Sequence, residues 1–249
     1  TDMGGNEGTG DPVADVKMLE NELNKWYVGI INRVWEKLAR TILSTKQDFS
    51  VAIAKQLSGL GVKEGDVKDA VLKLKLNTEN LTTWSQDDLL RFAQTLRHIT
   101  KPMIIAANKA DKAGSEDNLK RLKNEFGDLI IIPTSADSEL SLRQAAKAEL
   151  IDYIPGSSNF TINEDQANDK QKAALSSIQE NVLDVFGATG VQDVLDKAIF
   201  ELLKYIAIFP AGSKLADSKG NVLPDCFLLP EGSTALDFAY FLHTDIGDK

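Results

Sequence analysis

The sequence from Met103 to Gly114 reads MIIAANKADKAG, and it indicates both a fold class and the position of a site. Its first five residues are apolar, as is typical of a strand that is buried on both faces of a sheet. Asn108, Lys109 and Asp111 follow at once. Ligands of open α/β sheets bind beyond the carboxyl ends of the strands. The stretch therefore predicts a binding loop that begins at Asn108.

A second pair of strand and loop follows the first. The apolar residues 129–133 run into Thr134, Ser135 and Ala136, and a polar helix is predicted between the two strands at residues 116–126. Helical and continuous apolar segments alternate in this part of the chain. That alternation predicts a parallel sheet in an α/β domain, with both loops at one edge of the sheet.

The chain before this block has a helical character. Residues 1–11 are rich in glycine and polar, which indicates a flexible lead-in. A long helical pattern is followed by two shorter ones at residues 51–57 and 67–74. Asp66 is the expected N-cap of the helix at 67–74. Trp26 and Trp35 are expected to be core or seam residues rather than residues that stack on a ligand. The long pattern places apolar residues at steps of three and four, at Val13, Val16, Leu19, Leu23, Trp26, Ile30, Val34 and Leu38.

The end of the chain has the order of a small β-rich domain. Turn-forming residues at 217–221 lie between strand-like segments, and Pro230 to Ser233 form a second turn before a helix that begins at Thr234. A β-grasp fold begins with this order of elements: strand, turn, strand and helix. Cys226 lies in an apolar context and is expected to be buried.

Composition narrows the function classes. The chain has 249 residues, of which 43% are hydrophobic and 26% charged, and a single cysteine, which excludes an internal disulfide and favours a reducing, cytoplasmic compartment. No apolar run approaches the roughly 20 residues of a membrane helix. The net charge of −9 argues against binding to DNA and against broad, sequence-independent binding to nucleic acid. A protein with this net charge can still have a local basic face. His98 and His243 have no nucleophile or metal-ligand set beside them in the sequence.

The pair N-K-x-D and [ST]-S-A resembles the guanine-reading motifs of the GTP-binding superfamily. Asp111 can accept hydrogen bonds from N1–H and the 2-amino group of guanine, and the stem of Lys109 can cover the face of the base. Asn108 can tie the two loops together, and the backbone N–H of Ala136 can donate to O6. The predicted guanine-binding residues are Asn108, Lys109, Asp111, Thr134, Ser135 and Ala136.

The phosphate-binding motifs of such proteins do not occur in these 249 residues. There is no G-x-x-x-x-G-K-[ST] sequence, and the glycine-rich stretches 4–10 and 187–193 lack its lysine. No stretch resembles the D-x-x-G element that senses the γ-phosphate through Mg²⁺. No catalytic residue and no metal ligand are therefore predicted in this chain, which is expected to be inactive by itself.

Longer stretches extend the resemblance. WSQDDLLRFA, KPMIIAANKAD, IIPTSADSELSLRQAAKAELIDYIPG and FGATGVQDVLDKAIFELL resemble the Obg-like GTPases of the YchF, translation-associated subgroup of archaeal type. The resemblance implies a helical, partly coiled-coil domain at residues 12–82, inserted into a P-loop-type G domain. The C-terminal part of that G domain would occupy residues 83–206, and a truncated β-grasp TGS domain residues 207–249. The phosphate-binding half would lie upstream, which makes the chain a fragment.

The function implied by this resemblance is that of a GTP-binding, ribosome-associated or translation-associated GTPase. Its cofactors would be GTP and Mg²⁺, the latter held by upstream residues. Its partners would be the guanine nucleotide and, through the helical and TGS domains, the ribosome or RNA. Two alternatives remain open. One is a non-catalytic RNA- or ribosome-binding adaptor with vestigial guanine loops. The other is an ATP-preferring member of the family, against which Asp111 argues, because such members carry Asn-Met-x-Glu.

Overall fold

The computed structural model describes Met3, residues 10–209, Gly220 and residues 226–248. The chain divides into a first unit, residues 1–131, and a second unit, residues 132–249. Across these described segments, no helix combines the length and the apolar character needed to cross a membrane.

The first unit contains four helices before its first strand. Short 3₁₀ turns lie at Ser58–Leu60 and Leu81–Thr83. The elements are α1 (Pro12–Thr45), α2 (Phe49–Gln56), α3 (Glu64–Leu74), α4 (Gln86–Thr100), β1 (Ile104–Ala107), α5 (Ser115–Glu125) and β2 (Ile130–Pro133), in whose middle the unit ends.

The long helix α1 begins as predicted, but it buries a different face. Pro12 is its first residue, and the Asp11 side chain caps it by accepting from the Val13 N–H at 3.0 Å. Of the two tryptophans, Trp35 is buried and Trp26 is 50% exposed. Two apolar stripes lie side by side on this helix, and the stripe that contains Tyr27 and Trp35 is the buried one. The buried stripe is Val16, Tyr27, Ile31, Trp35, Ala39 and Ile42.

An aromatic cluster forms the centre of the helical core. The rings of Trp35 and Trp84 stack with their centroids 4.8 Å apart, and Phe49 and Phe92 pack around them. The Trp84 indole N–H donates to the carbonyl of Asn77 at 2.6 Å, which satisfies its one polar atom. Helix α4, which the sequence assigns to the following domain, therefore shares one core with α1, α2 and α3.

The helix starts follow local capping chemistry. The predicted capping box at α4 is confirmed, because the Asp88 N–H donates to Ser85 Oγ at 3.1 Å and the Ser85 N–H to Asp88 Oδ2 at 2.9 Å. Asp66 was the expected N-cap of α3, and this prediction is wrong. The helix begins at Glu64, and Asp66 lies in its first turn, where its carboxylate accepts from the Lys63 N–H at 2.8 Å.

The two predicted strands and the helix between them are confirmed as β1, α5 and β2, and the strands pair in a two-stranded sheet. Ile105 and Ala107 of β1 pack with Val16 and Leu122 in a small core. Met3, in the segment expected to be a flexible lead-in, is completely buried in this core. The rest of that segment, Gly10 and Asp11 apart, lies outside the described residues.

The second unit carries further helices and two short sheets. Its core contains Leu142, Ile151, Tyr153, Leu175 and Leu183. Two π-helical turns, Gln179–Leu183 and Lys197–Leu202, interrupt its helices. The elements are α6 (Ala136–Lys147), β3 (Ile151–Asp152), β4 (Thr161–Ile162), α7 (Asp169–Ile178), α8 (Asp184–Phe186), α9 (Val191–Asp196), β5 (Tyr205–Ile208), β6 (Phe227–Pro230), α10 (Ala235–Leu242) and α11 (Thr244–Gly247).

The last elements follow the predicted order of strands, turn and helix. Strands β5 and β6 pair antiparallel, with Tyr205 opposite Pro230. Thr234 caps α10, because its hydroxyl accepts from the Asp237 N–H at 3.2 Å. Cys226 is exposed, so the prediction of a buried thiol is wrong; β6 begins only at the next residue. The turn predicted at 217–221 lies outside the described residues except for Gly220.

Candidate functional site

The loop from Asn108 to Asp111 is held by its backbone. The Met3 N–H donates to the Asn108 carbonyl at 2.7 Å, and the Lys112 N–H donates to the Lys109 carbonyl at 3.2 Å. The backbone of Lys109 has a φ of 61°, in the left-handed region that residues other than glycine rarely adopt. Such a backbone conformation is kept only where several surrounding contacts hold it, and it is common in ligand-binding loops.

A buried serine supports the floor of this loop. The Ser115 hydroxyl, at the start of α5, donates to the carbonyl of Ala110, and both residues are buried. The Ser115 N–H donates to the Lys112 carbonyl at 3.1 Å. A larger side chain at position 110 would displace this packing. The loop therefore turns tightly over a small residue, and three of the predicted guanine-binding residues flank that residue.

Asp111 lies beside an exposed ammonium group. Its Oδ2 is 3.2 Å from Nζ of Lys112, and its side chain is 19% exposed. Lys112 is largely exposed, and surface ion pairs of this kind contribute little to stability.

The predicted residues of the second unit form the junction between β2 and α6. Thr134 and Ser135 are buried, and Ala136 is the exposed first residue of α6. The Ser135 N–H donates to the Thr189 carbonyl at 2.9 Å, and the Ser135 hydroxyl donates to Ser138 Oγ at 2.8 Å. The N–H groups of the first helical turn point out of a helix, which suits them to binding an acceptor.

A buried carboxylate in α6 supports this junction, and the sequence did not reveal it. Glu139 is 4% exposed. Its two oxygens accept from Arg143 Nε at 2.6 Å, the Tyr153 hydroxyl at 2.8 Å and the Thr189 hydroxyl at 2.5 Å. Burial by itself would raise the pKa of Glu139, but these donors outweigh it and leave the pKa lowered. Burial and the neighbouring carboxylate raise the pKa of Tyr153 to about 12.

The glycine-rich turn that contains Thr189 packs against the end of β2. Gly190 has a φ of 77°, and a Cβ added to it would lie 2.0 Å from the carbonyl oxygen of Pro133. The sequence GATG attracts notice only for its lack of a phosphate-binding lysine. In the structure it provides the close backbone approach that lets Thr189 reach Ser135 and Glu139.

The six predicted residues thus fall into two groups. Asn108, Lys109 and Asp111 share one loop of the first unit, and Thr134, Ser135 and Ala136 share one segment of the second.

The two histidines have structural partners. His98 Nδ1 lies 2.8 Å from the Gln94 carbonyl, and His243 Nδ1 accepts from the Asp245 N–H at 3.2 Å. Within the part of the chain that the structure describes, no three His, Cys, Asp or Glu side chains are grouped so that they could hold a metal ion.

Comparisons with known proteins found several similar chains. Residues 106–212 match the family model described as the Obg-like GTPase YGR210-like, G4 motif-containing domain. An uncharacterised GTP-binding protein of Methanocaldococcus jannaschii is 44% identical over 96% of this chain. An uncharacterised GTP-binding protein of Schizosaccharomyces pombe is 29% identical over 90% of the chain. The crystal structure of a GTP-binding protein from Pyrococcus horikoshii OT3 superposes with a TM-score of 0.76 at 47% identity, covering 96% of this chain.

The match to the Obg-like family model is limited to residues 106–212, and the relatives that align with most of the chain are named as GTP-binding proteins. The chain spans 60% of the length of the M. jannaschii relative, 57% of the S. pombe relative and 63% of the P. horikoshii chain.

Proposed function

We propose that this chain supplies the guanine-recognition segments of a GTP-binding protein. The observation that carries the proposal is the loop after β1, where Asn108, Lys109 and Asp111 follow a buried strand and Lys109 adopts a left-handed conformation. The relatives named as GTP-binding proteins, which align with almost the whole chain, support it.

In this proposal Asp111 selects the base. Its carboxylate accepts from N1–H and the 2-amino group of guanine, whereas adenine presents an acceptor at N1 and no amino group at C2. A base that leaves such a polar group unpaired is disfavoured by about 1–3 kcal/mol. Lys109 covers one face of the base with its methylene stem, and the amide of Asn108 orders the loop.

In the same proposal, the junction between β2 and α6 provides the second unit's own contribution to guanine recognition. Ala136 N–H donates to O6, and the small side chain of Ala136 leaves room for the base. Thr134 and Ser135 are buried and hold the backbone in place. A donor at this position distinguishes the oxygen of guanine from the amino group of adenine, which cannot accept in the same way.

Exchange of Asp111 for asparagine tests the proposal in the complete gene product. The amide can donate to the 2-oxo group of xanthine, so Asp111→Asn should shift the preference from GTP towards XTP by about 1–3 kcal/mol. Competition binding with GTP and XTP measures the shift. Asp117→Asn is the matched control, because it removes the same charge from a side chain that is 88% exposed on α5. Unchanged GTP affinity in Asp111→Asn would refute the assignment.

The wider activity belongs to the same proposal. We infer a translation-associated GTPase in which residues 12–82 are a helical insertion in a G domain and residues 207–249 begin a TGS domain. Mg²⁺ would accompany the triphosphate, and the described residues contain no group of three His, Cys, Asp or Glu side chains that could hold it. Co-sedimentation with ribosomes, with and without nucleotide, separates this proposal from a nucleotide-independent adaptor. ATP competition separates it from an ATP-preferring protein.

A further inference from the structure

Ser135, Glu139 and Thr189 form a closed ring of three hydrogen bonds in the second unit. The Ser135 N–H donates to the Thr189 carbonyl at 2.9 Å, the Thr189 hydroxyl to Glu139 Oε2 at 2.5 Å, and the Glu139 N–H to the Ser135 carbonyl at 3.1 Å. All three residues are buried. Both polar backbone groups of Ser135 are therefore held by the other two members of the ring.

The ring also sets the direction of the next N–H group. A peptide unit is planar and trans, so the N–H of Ala136 points opposite to the carbonyl of Ser135. The main-chain N–H of Glu139 holds that carbonyl and, with it, the N–H of Ala136. The Glu139 side chain acts on the preceding peptide unit, because it binds the Thr189 hydroxyl and the Thr189 carbonyl accepts from the Ser135 N–H.

Stability alone is a poor reason for a carboxylate at this position. A buried charge has to be compensated by several donors, and an apolar residue of similar size would pack at lower cost. A carboxylate, however, has enough acceptor sites to join three separate segments at once. Glu139 uses them to connect Arg143 of its own helix, Tyr153 after β3 and Thr189 of the glycine-rich turn.

We propose that Glu139 is a positioning residue for base recognition, which acts through Thr189 and Ser135 to aim the N–H of Ala136 at O6 of guanine. The inference rests on the proposed function above. Glu139 does not touch the nucleotide in this arrangement. Its contribution is to fix the orientation of one hydrogen-bond donor before the ligand binds. Without it, part of the binding free energy would be spent on ordering that donor.

A nucleotide altered only at the acceptor tests this role. In 6-thio-GDP a sulfur, a weaker acceptor, replaces O6, while N1–H and the 2-amino group remain. The complete gene product is titrated with each nucleotide in competition with N-methylanthraniloyl-GDP. The natural sequence should prefer GDP. Glu139→Ala should lower GDP affinity about tenfold and 6-thio-GDP affinity much less, because one well-aligned hydrogen bond is lost.

Conservative variants separate positioning from folding. Thr189→Val removes the hydroxyl and keeps the shape, so it should lower the preference for GDP as Glu139→Ala does. Thr189→Ser keeps the hydroxyl and Glu139→Gln keeps an acceptor oxygen, so both should retain most of the preference. If Glu139→Ala fails to fold by circular dichroism, the comparison of Thr189→Val with Thr189→Ser decides the question.

The outcomes distinguish this inference from the proposal beneath it. A folded Glu139→Ala variant that binds GDP normally, or that loses GDP and 6-thio-GDP by the same factor, overturns the positioning role. If Asp111→Asn changes base preference as expected in the same assay, only the positioning role has failed. If the natural sequence does not bind GDP, or Asp111→Asn has no effect, the proposed function fails with it.

Discussion

Gly190 shows how a single backbone position constrains the junction after β2. A Cβ at this residue would lie 2.0 Å from the Pro133 carbonyl oxygen, whereas Gly187, which also has a positive φ, has nothing within 4 Å. Both positions disfavour a side chain for conformational reasons, but only one of them is also closed sterically.

Exchange of each glycine for alanine separates the two effects. Gly187→Ala should cost only the conformational strain, about 1 kcal/mol. Gly190→Ala must also move the backbone, and it should cost about 2–4 kcal/mol or prevent folding. Urea denaturation followed by circular dichroism measures both. An equal loss of unfolding free energy in the two variants would mean that the backbone around Pro133 can move away from the added Cβ without a loss of stability.

The charge of Glu139 gives the stability of the second unit a dependence on pH. Its pKa in the folded protein lies below the ordinary value of 4.5. The folded state thus favours the ionised form of Glu139, which stabilises the fold. This stabilisation is fully present above the pKa of Glu139 in the unfolded chain, and it is lost as pH falls through the pKa in the folded protein. The difference in unfolding free energy between the natural sequence and Glu139→Gln should be constant near neutral pH and narrow below 4.5. A difference that widens in acid would contradict the assigned sign.

At the scale of elements, the helices of the first unit depend on the cluster around Trp35 and Trp84. Each ring contacts residues from more than one helix, and Trp84 also satisfies the Asn77 carbonyl. Trp26 lies on the same long helix with half of its surface exposed. Two tryptophans of one helix therefore have different energetic roles.

Truncation of these side chains should show the difference. Trp35→Ala removes a buried ring and leaves a cavity, so the free energy of unfolding should fall by about 3–5 kcal/mol. Trp26→Ala removes a half-exposed ring, and its effect should stay within about 0.5 kcal/mol. Denaturation midpoints of the two variants provide the measurement. A large loss for Trp26→Ala would indicate that its exposed face is covered in the protein as measured.

Local signals predicted most of the elements, and long-range packing accounts for what they missed. The capping box at Ser85 and the apolar runs of β1 and β2 are local, and they are confirmed. The buried face of α1 depends on which of two adjacent stripes meets the other helices, and periodicity alone does not decide that.

The support of the candidate site could not be predicted in the same way. Asn108, Lys109 and Asp111 are visible because they follow a strand in one short motif. Glu139 and Thr189 are separated by fifty positions, and only the fold brings them together. Neither residue type is unusual in its own segment, so no pattern in the sequence marks the pair. The glycines of GATG are a local sign of a tight turn, but without a lysine they indicate neither a phosphate-binding loop nor the contact with Pro133.

At the scale of the whole molecule, the proposed guanine-binding segments are not accompanied by the phosphate-binding sequence motif of G domains. Backbone N–H groups, a lysine and Mg²⁺ provide most of the affinity of a G domain for GTP. The 249 residues contain no G-x-x-x-x-G-K-[ST] sequence. Base contacts alone must offset the entropy of immobilising a ligand, which leaves binding of about millimolar strength.

The chain of 249 residues, expressed by itself, should therefore neither hydrolyse GTP nor bind it at micromolar concentrations. Isothermal titration with GTP should give a flat trace, and the complete gene product should give a saturable one under the same conditions. Circular dichroism with a cooperative thermal transition establishes that the chain is folded, so that a flat trace reports on binding. Micromolar binding by this chain would mean that its own residues hold the phosphates. The glycine-rich turn at 187–190 would then be the first segment to mutate, because its Thr189 carbonyl accepts from the Ser135 N–H.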